Sequence, residues 1–300
     1  MLILNSFSHD FNLWQCLSNW IDYFFRFSIR KHIQNFVTNN YDQTTGSFIN
    51  LILFNLKDQN GKVIYYHMIN LSIVYLIVVS GFHISILKRL VSFALRKWPI
   101  LANIVNIIII TFYCYLLSFA VSVTRVLLMF LISFIFKKRL KNKIDVLAVA
   151  GLFSIMWDTT CMFNIGFCMS YLCTTVILLV YRLKISNMLL EKLLINIAAT
   201  LISLPFIIYM QNQISLWAVF NSFIFSYVFA FIFIYFLLTF WLVWIVVIQH
   251  AIVIAVNFVI NASWFTNIII RVPNWSPLIQ CGYFIVSYLT IRMLKSYKTN

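Results

Sequence analysis

Nine apolar segments follow one another along this chain, at residues 68–87, 98–120, 122–136, 144–158, 166–182, 193–210, 216–236, 240–262 and 277–294. A helix needs about 20 apolar residues to cross the hydrocarbon core of a bilayer. Inside that core a backbone must satisfy its own hydrogen bonds. The segments therefore predict an all-α integral membrane protein, a polytopic bundle of about nine transmembrane helices. Composition agrees: 63% of the residues are hydrophobic and only 10% are charged, against about 25% charged in soluble domains. An ordinary soluble globular fold is excluded.

The net charge of +15 would point to a nucleic-acid partner in a soluble domain, but here Lys and Arg mostly record topology. Fifteen of the twenty-two lie in "KRLVSFALRK", "KKRLKNK", "RLKISNMLLEK" and "RMLKSYK". These alternate with "WDTTCMFN", "MQNQIS" and "FTNIIIRVPNWS", which share one Arg. The positive-inside bias puts the basic set, and the C-terminus, in the cytoplasm. That parity requires all nine segments to cross, although the uncharged run from Leu216 to Phe265 allows another division. Segments 122–136 and 144–158 are short for full spans and read as partial or broken helices packed inside the bundle.

Residues 1–56 differ in kind. "FNLWQCLSNWIDYFFRFSIRKHI" mixes aromatics with Asp22, Arg26, Arg30 and Lys31, the pattern of an interfacial amphipathic helix rather than of a tenth span, its alternative, and "TNNYDQTTGS" reads as a loop. The expected division is an N-terminal amphipathic segment, 1–56, and a polytopic domain, 57–300. The start of the chain lacks a basic n-region and a small-residue cleavage site, so no removable signal peptide is expected.

Several residues break the apolar pattern. Ser80 and Gly81, in "VVSGFHISILKRL", can bend a helix or admit a close neighbour. His83 is either a packed neutral imidazole or a pore-lining group. Arg125 opens "SVTRVLLMFLISFIF", and its guanidinium stays charged. It either snorkels at the interface or faces water, an anion or a distant carboxylate such as Asp158. Pro205 removes an amide donor from its helix, and Asn221 reads as an interhelical hydrogen bonder. The six cysteines form no C-x-x-C pair and read as packing residues. No metal-ligand cluster, P-loop, G-x-S-x-G or carboxylate pair occurs among seven acidic residues, so no enzyme, cofactor or metal is expected.

Taken in order, Ser80, Gly81 and His83; Ser122, Arg125 and Met129; Gly166, Phe167 and Ser170; and Leu204, Pro205, Tyr209 and Asn221 resemble the membrane domain of the ComEC-type competence proteins over residues 50–225. The resemblance implies a channel in the bacterial cytoplasmic membrane that imports single-stranded DNA during transformation, with those residues on or near its path. Departures are Phe82 for the usual Leu, Val126 for Ala, Cys168 for a frequent Gln, and Trp157-Asp158 for an Asn-Pro. Full-length relatives add an OB-like and a metallo-β-lactamase-like domain, and neither is read in these residues. Beyond lipid and single-stranded DNA, the implied partners are therefore a separate DNA receptor, a helicase or motor and a nuclease, with a homo-oligomer also compatible. The alternatives are a small-solute permease for nucleosides or anions, and a reduced structural membrane protein.

Overall fold

The structure, a computed structural model, describes residues 13–24, 28–56, 58–70, 81–136, 139–140, 142–265, 268–273, 275–276, 279 and 282–285. Ser80, the stretch 71–80 within the first expected span, most of the segment 277–294 and the C-terminal tail lie outside the described residues.

In chain order the elements are α1 (Leu13–Phe24), α2 (Ile29–Asn40), α3 (Gln43–Phe54), α4 (Gln59–Asn70), α5 (Gly81–Ala94), α6 (Pro99–Leu116), α7 (Val121–Ile135), α8 (Lys143–Trp157), a short 3-10 helix (Thr159–Phe163), α9 (Ile165–Arg182), α10 (Met188–Gln211), β1 (Gln213–Ser215), α11 (Ala218–Thr239), α12 (Val246–Phe265) and β2 (Ile269–Arg271). The fold is nearly all-α. Among the described residues four helices, α6, α9, α10 and α11, are long and apolar enough to cross a membrane, and α7 and the Val246–Asn261 part of α12 are shorter apolar helices. At 15 residues each, α7 and α8 rise about 22 Å, less than the roughly 30 Å hydrocarbon core, as their sequence length suggested.

Polar residues set the helix ends. Asn142 Oδ1 accepts from Ile144 N–H at 3.2 Å at the start of α8. Asn187 Oδ1 accepts from Leu189 and Leu190 N–H before α10. These are N-caps, supplying an acceptor to otherwise orphaned donors. Asn55 and Asn212 close α3 and α10 in the left-handed conformation, at φ 54° and 55°, where Asn is the usual substitute for Gly. Pro99 opens α6, where a missing N–H costs nothing.

The helices form two compact units. The first comprises Met1–Phe36 and Gly81–Cys168, the second Val37–Ser80 and Met169–Asn300, and the boundary expected at 56/57 falls inside the second. In the first unit α5, α6 and α7 pack on one another and α8 packs on α7. Leu128, Ile132, Val146 and Ala150 form the α7–α8 core, with Met129 against it.

The second unit is built around α3, in which every residue from Thr45 to Phe54 is buried. This corrects the expected loop at "TNNYDQTTGS": only Tyr41 and Asp42 interrupt the helices there. A helix buried around its whole circumference is central to its unit, and α3 packs against α4, α11 and α12. Phe48 meets Phe236 edge-on at 6.2 Å between ring centroids, and Phe54 meets Phe240 likewise. A two-stranded antiparallel ribbon, which an all-α expectation lacks, pairs Gln213 with Arg271, Ile214 with Ile270 and Ser215 with Ile269. It draws the loops at both ends of the α11–α12 pair together.

Candidate channel site

The first unit brings two of the sequence motifs into contact. Gly81 is the first residue of α5, and Arg125 lies in the second turn of α7. A Cβ placed on Gly81 would lie 2.9 Å from Arg125 Nη2 and 2.9 Å from Val126 Cγ2, closer than carbon atoms pack. The glycine is therefore needed for space, and its missing side chain leaves a notch that the guanidinium fills. Arg125 is buried, at 6% exposure, which rules out interfacial snorkelling. Its site is costly in itself, since a buried guanidinium has given up its hydration.

Two turns further along the same pair of helices, Lys88 Nζ sits 4.2 Å above the Phe130 ring. Positions 81 and 88 share a face of α5, and 126 and 130 share a face of α7, so the two helices run in the same direction. Residues 81 and 88 are about 10 Å apart along the α5 axis, so one cation meets the start of this face and a second lies over an aromatic ring two turns on. Ser85, also on that face, donates to the Gly81 carbonyl at 2.6 Å. His83 is fully buried, but stands some 200° around α5 from Gly81, on the face of Ile84 and Leu87, which are also buried. Ser122 is half-buried one turn before Arg125, and Met129 belongs to the α7–α8 core.

Asp158, considered as a counter-ion for Arg125, instead caps the 3-10 helix, accepting from Thr160 N–H at 3.0 Å and Thr160 O–H at 2.6 Å. The Gly-Phe motif opens α9. Asn164 Oδ1 accepts from Gly166 N–H at 2.8 Å and would lie 3.0 Å from a Cβ on Gly166, so this glycine serves the cap. Phe167 is buried.

The second unit holds the remaining motif residues. Half-buried Ser170 lies in α9, its carbonyl accepting from Thr174 Oγ1 at 2.8 Å. Leu204 and Pro205 lie inside α10, which continues through the proline. Pro205 cannot donate to the carbonyl four residues back, that of Leu201. Tyr283 O–H donates to the Leu201 carbonyl at 2.9 Å instead. Tyr209 is 58% exposed. Asn221 is buried beside Ser222, whose hydroxyl meets that of Thr200 at 3.2 Å across α10 and α11.

Sequence reading missed the partners: Phe130 beneath Lys88, Tyr283 behind Pro205, and a polar cluster joining Asp22, Arg30, Tyr115 and Ser118. Apart from Asp22 and Arg30, eight positions apart, these partners are more than 40 residues from each other in sequence. Asn164 had a local signal, a cap residue two positions before the Gly-Phe pair.

The family described as "Competence protein" matches residues 62–296. An uncharacterized protein of Mycoplasma genitalium is 31% identical over 206 residues, covering 65% of this chain and 55% of that one. Its homologue in Mycoplasma pneumoniae, also uncharacterized, is 27% identical over 187 residues, 62% of this chain and 50% of that one. The chain thus spans about half the length of the curated relatives it matches. No solved structure matches it. A match across most of the chain, with the motif order and the apolar helices described above, means that this membrane protein belongs to the competence protein family.

Proposed function

We propose that the protein is a conduit, not an enzyme, that passes single-stranded DNA across the bacterial cytoplasmic membrane. The observation that carries this reading is the seam between α5 and α7: a buried guanidinium held in the Gly81 notch, then, two turns of α5 further on, Lys88 over Phe130. A strand offers one negative charge per nucleotide and a π-face on each base, so spaced cations and an aromatic surface are the groups that conduct it. A neutral solute has no use for a buried guanidinium.

The proposed topology has nine crossings with the basic loops and the C-terminus in the cytoplasm. The ribbon supports it, because β1 and β2 flank α11 and α12 and pair only if those two helices together return the chain to one side. Strand capture, unwinding and degradation would fall to a separate receptor, a motor and a nuclease.

The test is entry of labelled single-stranded DNA into intact cells, or into proteoliposomes supplied with a driving helicase. Arg125→Ala is compared with wild type at equal membrane expression. Entry should fall at least tenfold in the variant, a loss of roughly 1.4 kcal/mol or more in barrier terms. Wild-type protein that passes nucleosides or small anions but no DNA would replace this reading with a permease.

A further inference from the structure

A second cationic site lies in the first unit, away from the α5–α7 seam. Arg30, at the start of α2, reaches the turn between α6 and α7. Its Nη1 donates to Ser118 Oγ and lies 3.4 Å from Ser18 Oγ of α1. Its charge is only loosely countered: Arg30 Nη2 stands 3.6 Å from Asp22 Oδ2. Asp22 meanwhile accepts from Ser28 Oγ at 3.0 Å and from the Tyr115 hydroxyl. Beside this cluster opens a cavity of about 270 Å³ lined by Ser18, Asn19, Arg30 and Ser118, several times the roughly 30 Å³ share of one water molecule.

The lining chooses the ligand. A guanidinium, two hydroxyls and a carboxamide are all hydrogen-bond donors, and among the described residues no carboxylate lines the cavity, Asp22 being paired with Arg30 at 3.6 Å. A cation is repelled by Arg30, and an apolar group would strand four polar side chains. A tetrahedral oxyanion with several acceptor oxygens suits the set, and Arg is the side chain best shaped to hold one. We propose that this pocket binds one phosphodiester group of the incoming DNA strand. The choice of a strand rests on the channel reading above. In that topology the α6–α7 turn lies on the face opposite the basic loops around residues 88–97 and 137–143, where the strand arrives. A phospholipid headgroup offers the same chemistry, and the test separates the two sources.

Full-length protein in a non-ionic detergent would be titrated into fluorescent twelve-residue oligothymidylate across a salt series, following anisotropy. One lost phosphate contact on a single strand lowers the slope of log affinity against log salt by about 0.7, and Arg30→Gln should show that drop. Asp22→Asn keeps the guanidinium and removes its counter-charge, so it should bind more tightly than wild type. If the Asp22–Arg30 pair only docks α1 and α2, Asp22→Asn will weaken binding as Arg30→Gln does, and the pocket proposal fails. It fails equally if Arg30→Gln leaves affinity and slope unchanged while Arg125→Ala weakens binding, and in that case the channel reading stands. Phosphatidylglycerol retained by wild type in native mass spectrometry but lost from Arg30→Gln, with oligonucleotide binding unaltered, would make it a lipid site and overturn the proposal. Oligonucleotide binding absent from wild type itself would overturn both.

Discussion

Arg125 is tolerated inside this protein because Gly81 has no side chain and Val126 stands beside it. Adding one methyl group at Gly81 should displace both neighbours, and overpacking of this kind costs about 1–3 kcal/mol. Gly81→Ala is therefore expected to lower thermal stability and DNA entry together, while Val126→Ala, which removes the Cγ2 that would clash, should restore part of both. The double variant should depart from additivity by about 0.5–3 kcal/mol in a thermal-melt cycle; additive behaviour would mean that the notch is not shared. Cys161 gives a second test at this scale. Burial, then Asp158 and Cys168, push its thiol up to about 11. Only the thiolate reacts, and each pH unit below the pKa leaves about ten times less of it. In a variant whose other cysteines are alanine, alkylation of Cys161 should therefore be slow at pH 7.5 and climb about tenfold per unit to beyond pH 10. A plateau near pH 9 would contradict this environment.

Helices α10 and α3 show how elements accommodate what their sequences carry. Pro205 leaves the Leu201 carbonyl without its helical donor, and the Tyr283 hydroxyl supplies one. Tyr283→Phe removes that hydroxyl at little cost in volume, so it should destabilise the protein by about 0.5–1.5 kcal/mol, the net worth of a single hydrogen bond to an exposed carbonyl. Restoring the amide with Pro205→Ala in the same chain should recover most of the loss, as a chemical-denaturation series would show. In lipid, helices gain little from hydrophobic transfer when they associate, and packing holds them together. Phe48 in α3 is fully buried against Phe236, so Phe48→Ala should cost about 3–5 kcal/mol through the cavity it opens. The neighbouring expected loop failed for a physical reason: Thr45, Gly46 and Ser47 read as turn residues, yet they form the buried first turns of a helix. Ser47 donates to Asp58 Oδ2 at 2.6 Å, a partner supplied by the next loop.

At the scale of the molecule, the ribbon constrains how the chain crosses the membrane. Single cysteines at Gln213 and Arg271, which face each other across the strands, should react with a membrane-impermeant maleimide from the same side. A cysteine at Lys184, at the other end of α10, should react from the opposite side. In intact cells the proposed topology makes the first two accessible and the third protected until the membrane is opened. Labelling of all three from one side would mean that α10 turns back within the bilayer.

Apolar length alone pointed to a helical chain in a membrane, because a backbone in lipid satisfies itself only in helices or closed barrels, and these runs are too long for barrel strands. The short segments at 122–136 and 144–158 and the motif residues were equally legible, since each depends on a few neighbouring positions. The tertiary structure decided which of those residues meet. Gly81 faces Arg125 across 44 positions of sequence, Arg30 reaches Ser118 across 88, and Tyr283 reaches Leu201 across 82. Sequence periodicity reports which face of a helix is apolar; which partner that face receives depends on how the helices pack, and no local pattern records it.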